Sequence, residues 1–424
     1  MPRKRLTVSD VPGLLEATKA SHGPQNNAAE LDWIGARYDY LKSKGYKLDE
    51  RYASDWVPSW ASEPVSEYRN MARGKWERKH EDAFADHGAR KYVKDAIRMS
   101  DGLQVIVKLA LAPTGSGSTE LEILRYLSTV ADDDPRNPAQ RVLDAFPVPE
   151  DDPVYKTHHN DNIEDGVEGR ATWMYVILPL ARDWRLPPFV LASEALVFIR
   201  QLLEGLYFLH EHNIAHRDIR EDNIMMDPSP LFPPSSGTKM HPKNNLALTT
   251  PWLFPEPPPT SNPRRYYFID YGSSVKFPTG GEAARTHVHP VECQLYAPEM
   301  ATPDMTRVDL TRLYDPFKAD VFALGLMLDM YFWKVLPELQ ILWDAMVEFD
   351  PSKRPSAADS LKMFEEISNT FAGSVYLRRA QNVRLIDFGH SWPRWNVVKE
   401  RLRHRGEYWR VRLSLWLRRG KGSS

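Results

Sequence analysis

Three polar side chains define the chemistry open to this chain: Asp218, Asn223 and Asp270. Asp218 stands in the run His216-Arg217-Asp218-Ile219-Arg220-Glu221-Asp222-Asn223, which places an amide five residues after the carboxylate. Asp270 follows the apolar run Tyr266-Tyr267-Phe268-Ile269 and opens the short turn Asp270-Tyr271-Gly272. Phosphoryl transfer from a nucleotide needs such a set. One carboxylate meets the substrate hydroxyl, while an amide and a second carboxylate hold the metal ions that bridge the phosphates. Asp218 is therefore the expected catalytic carboxylate. Asn223 and Asp270 are the expected ligands of Mg2+, a hard cation that prefers oxygen.

Such residues act only when regular elements hold them. Ala195, Phe198, Ile199, Leu202, Leu203, Leu206 and Leu209 share one face of a helix expected over residues 193–212, with Ser193 as its cap. That helix delivers the chain to Asp218. Residues 93–108 predict two strands about the turn Ser100-Asp101-Gly102, and Lys108 ends the apolar run Val105-Ile106-Val107. A helix is expected from Thr119 to Leu127 and an apolar strand from Thr172 to Leu180. Nearer the start, Leu31, Ile34, Tyr38 and Leu41 suit a short amphipathic helix. Trp56 and Trp60 are expensive to leave wet, so they are expected to dock on the body of the protein; the alternative is a loop that binds a partner.

The chain has 424 residues, enough for one large domain with extensions. A net charge of -2 gives no ground for a specific nucleic-acid partner. The single cysteine, Cys293, excludes an intrachain disulfide and suits an intracellular, cytoplasmic or nuclear, setting. No run has the length to span a bilayer, and none near the start has the form of a signal peptide. Prolines number 34, and many gather in residues 228–265, an expected surface insertion because they interrupt any single helix.

The run from His216 to Asn223 and the turn at Asp270 closely resemble the catalytic loop and metal-binding turn of eukaryotic protein kinases. Other residues follow in that family's order. Ala297-Pro298-Glu299 resembles the motif that ends the activation segment. Asp320 resembles the residue that anchors the catalytic loop from beneath, and Arg354 the arginine that pairs with that motif's glutamate. These three separate protein kinases from small-molecule phosphotransferases of the same fold. The resemblance covers roughly residues 85 to 370. It implies an α+β, two-lobed protein-kinase-like fold with a small β-rich N-lobe and a larger helical C-lobe. The domains expected are an N-terminal extension (1–75) docking on the kinase domain, that domain (76–372, with the N-lobe about 76–180 and the C-lobe about 181–372) and a basic tail (373–424). Residues 40–46, Val57-Pro58-Ser59-Trp60, Asn223–Asp227, Tyr266–Asp270 and Tyr314–Asp320 resemble a large group of fungal protein-kinase-like proteins.

The resemblance also implies roles. Lys108 reaches the first phosphates, fixed by Glu120, with Glu122 as the alternative. Gly88 and Val93 cover the nucleotide. Ile177 to Ala181 links the lobes, the Pro179 carbonyl accepting from adenine and the Ala181 amide donating to it. Arg220 stands where a lysine usually touches the transferred phosphate. Arg217 binds a phosphorylated residue, with Thr286 leading and Ser273, Ser274 and Thr279 behind, or pairs with an acidic residue such as Glu282. The implied activity is transfer of the ATP γ-phosphate to serine or threonine of a protein substrate.

Departures from the family pattern support an alternative, a pseudokinase that works as an interaction module. Of three phosphate-covering glycines only Gly88 remains, with Asp86 and Lys91 in the outer places. Tyr271 replaces a phenylalanine, and its hydroxyl needs a partner. Arginine for lysine at 220 is not a neutral change, and Arg220 is expected to pair with Glu292. The tail interleaves arginines with Trp392, Trp395, Trp409 and Trp416. It is expected to pack its apolar side on the domain; the alternatives are weak contact with an anionic membrane, RNA or an acidic partner.

Overall fold

The computed structural model describes residues 7–10, 13, 32–66, 80, 92–112, 120–130, 134–157, 172–185, 189, 191–229, 264–278, 288–290, 297–303, 307–376, 378 and 380. Asp86, Gly88, Lys91, Thr279, Glu282, Thr286, Glu292, residues 230–263 of the insertion and the tail beyond 380 lie outside them. The described residues fall into two compact units. One is drawn from 1–117 and 141–180, the other from 118–140, 181–231 and 254–424. The fold is α+β, with a curled antiparallel sheet in the first unit and a largely helical second unit. Among the described residues no helix is long and apolar enough to cross a membrane.

The first unit is built on strands β1 (Tyr46–Lys47), β2 (Val93–Arg98), β3 (Gln104–Ala112), β4 (Asp144–Pro147) and β5 (Thr172–Pro179), in the order β1-β2-β3-β5-β4. All neighbours are antiparallel. β2 and β3 meet about the expected turn. Gly102 takes a φ of 72°, open to glycine without strain, and its N–H donates to the Arg98 carbonyl at 2.8 Å. Alternate residues Val105, Val107 and Leu109 of β3, with Tyr175 and Ile177 of β5, are buried in one core. Trp33, Tyr38 and Leu41 join that core from helix α1 (Ala36–Ser43) and the residues before it. The helix starts later than its apolar spacing suggests, because Gly35 at φ 71° breaks the helical path.

An ion pair fixes α1 to the sheet. Arg37 donates through Nε to Asp152 Oδ2 at 2.6 Å and through Nη2 to Oδ1, and the Tyr175 hydroxyl donates to the same carboxylate at 3.3 Å. Both charged side chains are almost wholly buried, so each is the other's substitute for water. Trp60 is fully buried, with Trp56 edge-on at 5.6 Å.

The second unit contains α2 (Glu120–Val130), β6 (Arg182–Asp183), α3 (Ala192–Glu211), β7 (Ile214–Ala215), β8 (Ile224–Met226), β9 (Tyr266–Phe268), β10 (Val275–Lys276), α4 (Pro316–Phe332), α5 (Gln340–Met346) and α6 (Ala357–Asn369). Every residue of the expected α3 stripe is buried. Its start differs from expectation. Ser193 is already helical, and the extended Leu191 precedes the first turn. Glu194 accepts the Leu191 N–H at 2.9 Å, and the Arg378 carbonyl takes the Ala192 N–H at 2.8 Å. Asp315 caps α4 by accepting from the Phe317 and Lys318 amides at 2.9 and 3.3 Å, with Pro316 in the first turn.

β8 and β9 bring the two polar motifs together. β8 follows Asn223 directly, β9 ends two residues before Asp270, and Ile224 pairs with Phe268 across them. Farther along, Arg354 donates to both Glu299 oxygens at 2.8 and 3.1 Å, twice to the Glu348 carbonyl and once to the Lys318 carbonyl. Those bonds use the whole guanidinium fork, which an ammonium cannot reproduce.

Truncating Arg37 to alanine leaves Asp152 buried and uncompensated. The expected loss is about 3–5 kcal/mol of unfolding free energy, read by denaturant titration of the full chain.

Candidate active site

The site rests on one carboxylate. Asp320 in α4 is 1% exposed, and it accepts the backbone N–H groups of His216 and Arg217, each at 2.8 Å. His210 Nε2 lies 3.2 Å from it. In an extended chain two consecutive amides point to opposite sides, so both reach one side chain only where the chain turns. Arg217 does so in the left-handed region at φ 69°. That bend sends Asp218 away from the buried base.

His216 is fully buried, and burial lowers its pKa, so the ring is neutral. A neutral ring has one donor and one acceptor. Nε2 lies 3.2 Å from the Ile269 carbonyl and must donate there. Nδ1 is then the acceptor for the Asp218 N–H at 3.3 Å. One side chain thereby ties the residue before Asp270 to the backbone of Asp218. The Ile269 N–H donates to the Asn223 carbonyl at 2.9 Å, and the Ser274 hydroxyl donates to the His216 carbonyl at 3.0 Å. Ser274 is buried and committed in this way, so it is unsuited to carry a phosphate.

Asn223 Nδ2 donates to the Asp218 carbonyl at 2.9 Å and to Asp218 Oδ2 at 2.7 Å. With its nitrogen engaged, the amide oxygen of Asn223 is the atom left to accept or to ligate. Arg220 Nε stands 3.5 Å from Asp218 Oδ2, and its Nη1 3.5 Å from Asp222 Oδ2. Burial raises the Asp218 pKa above the ordinary carboxylate value; Arg220 and the Asn223 bond pull it down, and Asp270 adds to the rise. The expected partner of Arg220, Glu292, lies outside the described residues.

Asp270 is left-handed at φ 66° and ψ 68°, an uncommon conformation for a residue with a side chain. Its Oδ1 lies over Gly272, 3.5 Å from where a Cβ would stand there, and Glu120 Oε2 lies 4.0 Å from the same point. The Tyr271 N–H donates to Glu120 Oε1 at 3.2 Å. Glu120 thus reaches the turn from the start of α2, while Glu122 is exposed. The second unit therefore assembles Asp218, Arg220, Asn223, Asp270 and Glu120. Ala181 is buried at the start of its own stretch of that unit.

The other described positions belong to the first unit. Lys108 and Val93 are direct cross-strand partners in β3 and β2, and Pro179 ends β5 opposite Val105. Gly88 lies outside the described residues.

No protein-family model matches the chain. Curated relatives do. A serine/threonine-protein kinase HAL5 of Candida glabrata is 24% identical over 217 residues, 50% of this chain and 21% of that protein. A probable serine/threonine-protein kinase, HAL5-like, of Eremothecium gossypii is 29% identical over 145 residues, 34% of this chain and 16% of its own length. A probable serine/threonine-protein kinase KKQ8 of Candida glabrata is 31% identical over 85 residues, 18% of this chain and 11% of that protein. The matches thus span only about a tenth to a fifth of these relatives. This chain resembles the eukaryotic protein kinases.

Two supports of the kinase-like loop escaped the sequence reading. Arg185 donates to both Asp183 oxygens at 2.8 and 2.6 Å and to Asp222 Oδ1 at 3.0 Å, and Trp184 Nε1 donates to the Glu221 carbonyl at 3.1 Å. The run Arg182-Asp183-Trp184-Arg185 has charge and aromatic character but no period, so pattern alone gave no signal there.

The Tyr271 hydroxyl is buried without a hydrogen-bond partner among the described residues, and burial beside Glu120 holds its pKa well above the usual range. Its ring packs 4.9 Å from His216. Removing an unsatisfied buried hydroxyl relieves its desolvation, so Tyr271→Phe is expected to gain roughly 1 kcal/mol of stability, measured by thermal unfolding.

Proposed function

We propose that this chain is a serine/threonine protein kinase that transfers the γ-phosphate of ATP, with magnesium, to a protein hydroxyl. The observation that carries the reading is the bond from Asn223 Nδ2 to the Asp218 carboxylate. It fixes the carboxylate and leaves the amide oxygen as a ligand, and the turn after β9 carries a second carboxylate, Asp270. An amide oxygen and a carboxylate suit a hard cation, so the residues fit magnesium. When bound, the metal and triphosphate supply the electrophilic phosphorus and the charge neutralisation.

The chain's own residues do the rest. Asp218 Oδ2 is held by Asn223 and faces Arg220 Nε, so the carboxylate is positioned to accept the substrate's hydroxyl proton. Arg220 offers the positive charge that a lysine usually offers there. Asn223 and Asp270 are the metal ligands, and Glu120 steadies the Asp270 turn through the Tyr271 amide. Lys108, Gly88 and Val93 are assigned to the nucleotide phosphates by resemblance, as are Pro179 and Ala181 to adenine. The family names of the curated relatives support the serine/threonine class.

The test is transfer of labelled phosphate from Mg·ATP to the protein itself and to a generic basic substrate. Label should appear with the wild type and fall by about 10²-fold or more in Asp218→Asn. No label from folded wild type would favour the pseudokinase reading.

The pH dependence follows from the raised Asp218 pKa. A carboxyl with a raised pKa stays protonated to higher pH, so its basic form is lost earlier as pH falls. The acid limb of kcat/KM for ATP, which reports the nucleotide-free enzyme, is therefore expected above the ordinary carboxylate value. Arg220→Ala should move it further up, because that guanidinium pulls the pKa down.

A further inference from the structure

Arg217 meets two neutral oxygens where a phosphate or a carboxylate was expected. Nε donates to the Tyr314 hydroxyl at 3.0 Å, and Nη2 donates to the His289 carbonyl at 2.5 Å. Tyr314 is itself fixed. It is 4% exposed and packs with Ala297, Met300, Ala319 and Phe322. Its backbone forms an antiparallel bridge with Val288, through N–H to O bonds of 3.3 and 3.4 Å. The next residue, Asp315, caps α4, the helix that carries Asp320.

These contacts close a ring. Asp320 holds the Arg217 backbone, the Arg217 side chain holds Tyr314 and His289, and Tyr314 holds Val288. A phosphate on the segment would usually supply the link between such an arginine and the chain that follows the metal turn. Here a tyrosine hydroxyl and a main-chain carbonyl already supply it, and bonds from a guanidinium to neutral oxygens are charge-assisted.

We propose that Tyr314 is a positioning residue that takes the place of an activating phosphate, so that residues 288–289 are aligned with the catalytic loop without modification of Thr286 or its neighbours. The proposal rests on the kinase reading of the site and adds its regulation. The enzyme is built to be competent as synthesised, and its activity is set by something other than phosphate on this segment.

The test compares full-length wild type before and after phosphatase treatment with Thr286→Ala and Tyr314→Phe. Hydrogen exchange reads the anchor, and steady-state transfer reads its consequence. Dephosphorylated wild type and Thr286→Ala should keep slow exchange at the Val288 and Tyr314 amides and keep their transfer rate. Tyr314→Phe keeps the ring and its packing but loses the bond to Arg217. It should speed exchange at the Val288 and His289 amides by about fivefold, the equivalent of one net hydrogen bond, while α4 stays slow. It should also lower kcat and leave the KM for ATP unchanged. Faster exchange throughout the unit in Tyr314→Phe would make the tyrosine a packing residue only and overturn the proposal. So would faster exchange at the Val288 and His289 amides after phosphatase treatment or in Thr286→Ala. If no variant transfers phosphate, the kinase reading fails, and the exchange measurement still decides whether the anchor stands without phosphate.

Discussion

A buried carboxylate that receives backbone amides is the constraint on which the second unit depends. Asp320 has almost no contact with water, so its charge is tolerable only while the His216 and Arg217 amides point at it. The same need works in reverse on the loop. Those amides lie in a tight bend with a left-handed residue, and no regular ladder is available to them. The carboxylate and the bend therefore stabilise each other, and α4 supplies the rigid platform for both.

From that base the geometry propagates by hydrogen-bond bookkeeping. A neutral His216 has one donor and one acceptor, and the structure assigns each: the donor to the Ile269 carbonyl, the acceptor to the Asp218 amide. Asn223 closes the loop on Asp218 from the other side. Asp218, Asn223 and the residue preceding Asp270 are thus parts of one network, in which displacing any member leaves a buried polar group unpaired. Arg217 extends it to Tyr314 and residue 289. Such a network has the rigidity that phosphoryl transfer asks of its positioning groups.

Much of this was legible in the sequence because period and motif coincide there. The α3 stripe and the β2–β3 turn follow from apolar spacing and turn chemistry, the α+β class from the resemblance to protein kinases, and Asp218, Asn223 and Asp270 stood out by residue type and spacing. Helix starts were less legible. Ser193 has the right chemistry for a cap, but Leu191 has the extended backbone, and the first amides go to Glu194 and to the distant Arg378 carbonyl. Partners far apart in sequence were legible only where a family motif marked them, as with Arg354 and Glu299. Arg37 with Asp152, Arg185 with Asp222, and Arg217 with Tyr314 depend on tertiary placement, and one sequence contains no record of it. Glu120 was preferred to Glu122 as the partner of Lys108 by its place before Ile123 and Leu124, as in the kinase helix; its bond to the Tyr271 amide had no signal in the sequence.

In the proposed kinase, Asn223 and Asp270 would present oxygens to a metal–nucleotide complex near a fixed Asp218. Calorimetric titration of ATP with and without magnesium, into wild type and Asp270→Asn, addresses this most directly. Magnesium should tighten ATP binding to wild type by about tenfold or more, with little effect in Asp270→Asn. Equal ATP affinity with and without magnesium, or no binding to the folded wild type, would contradict the account.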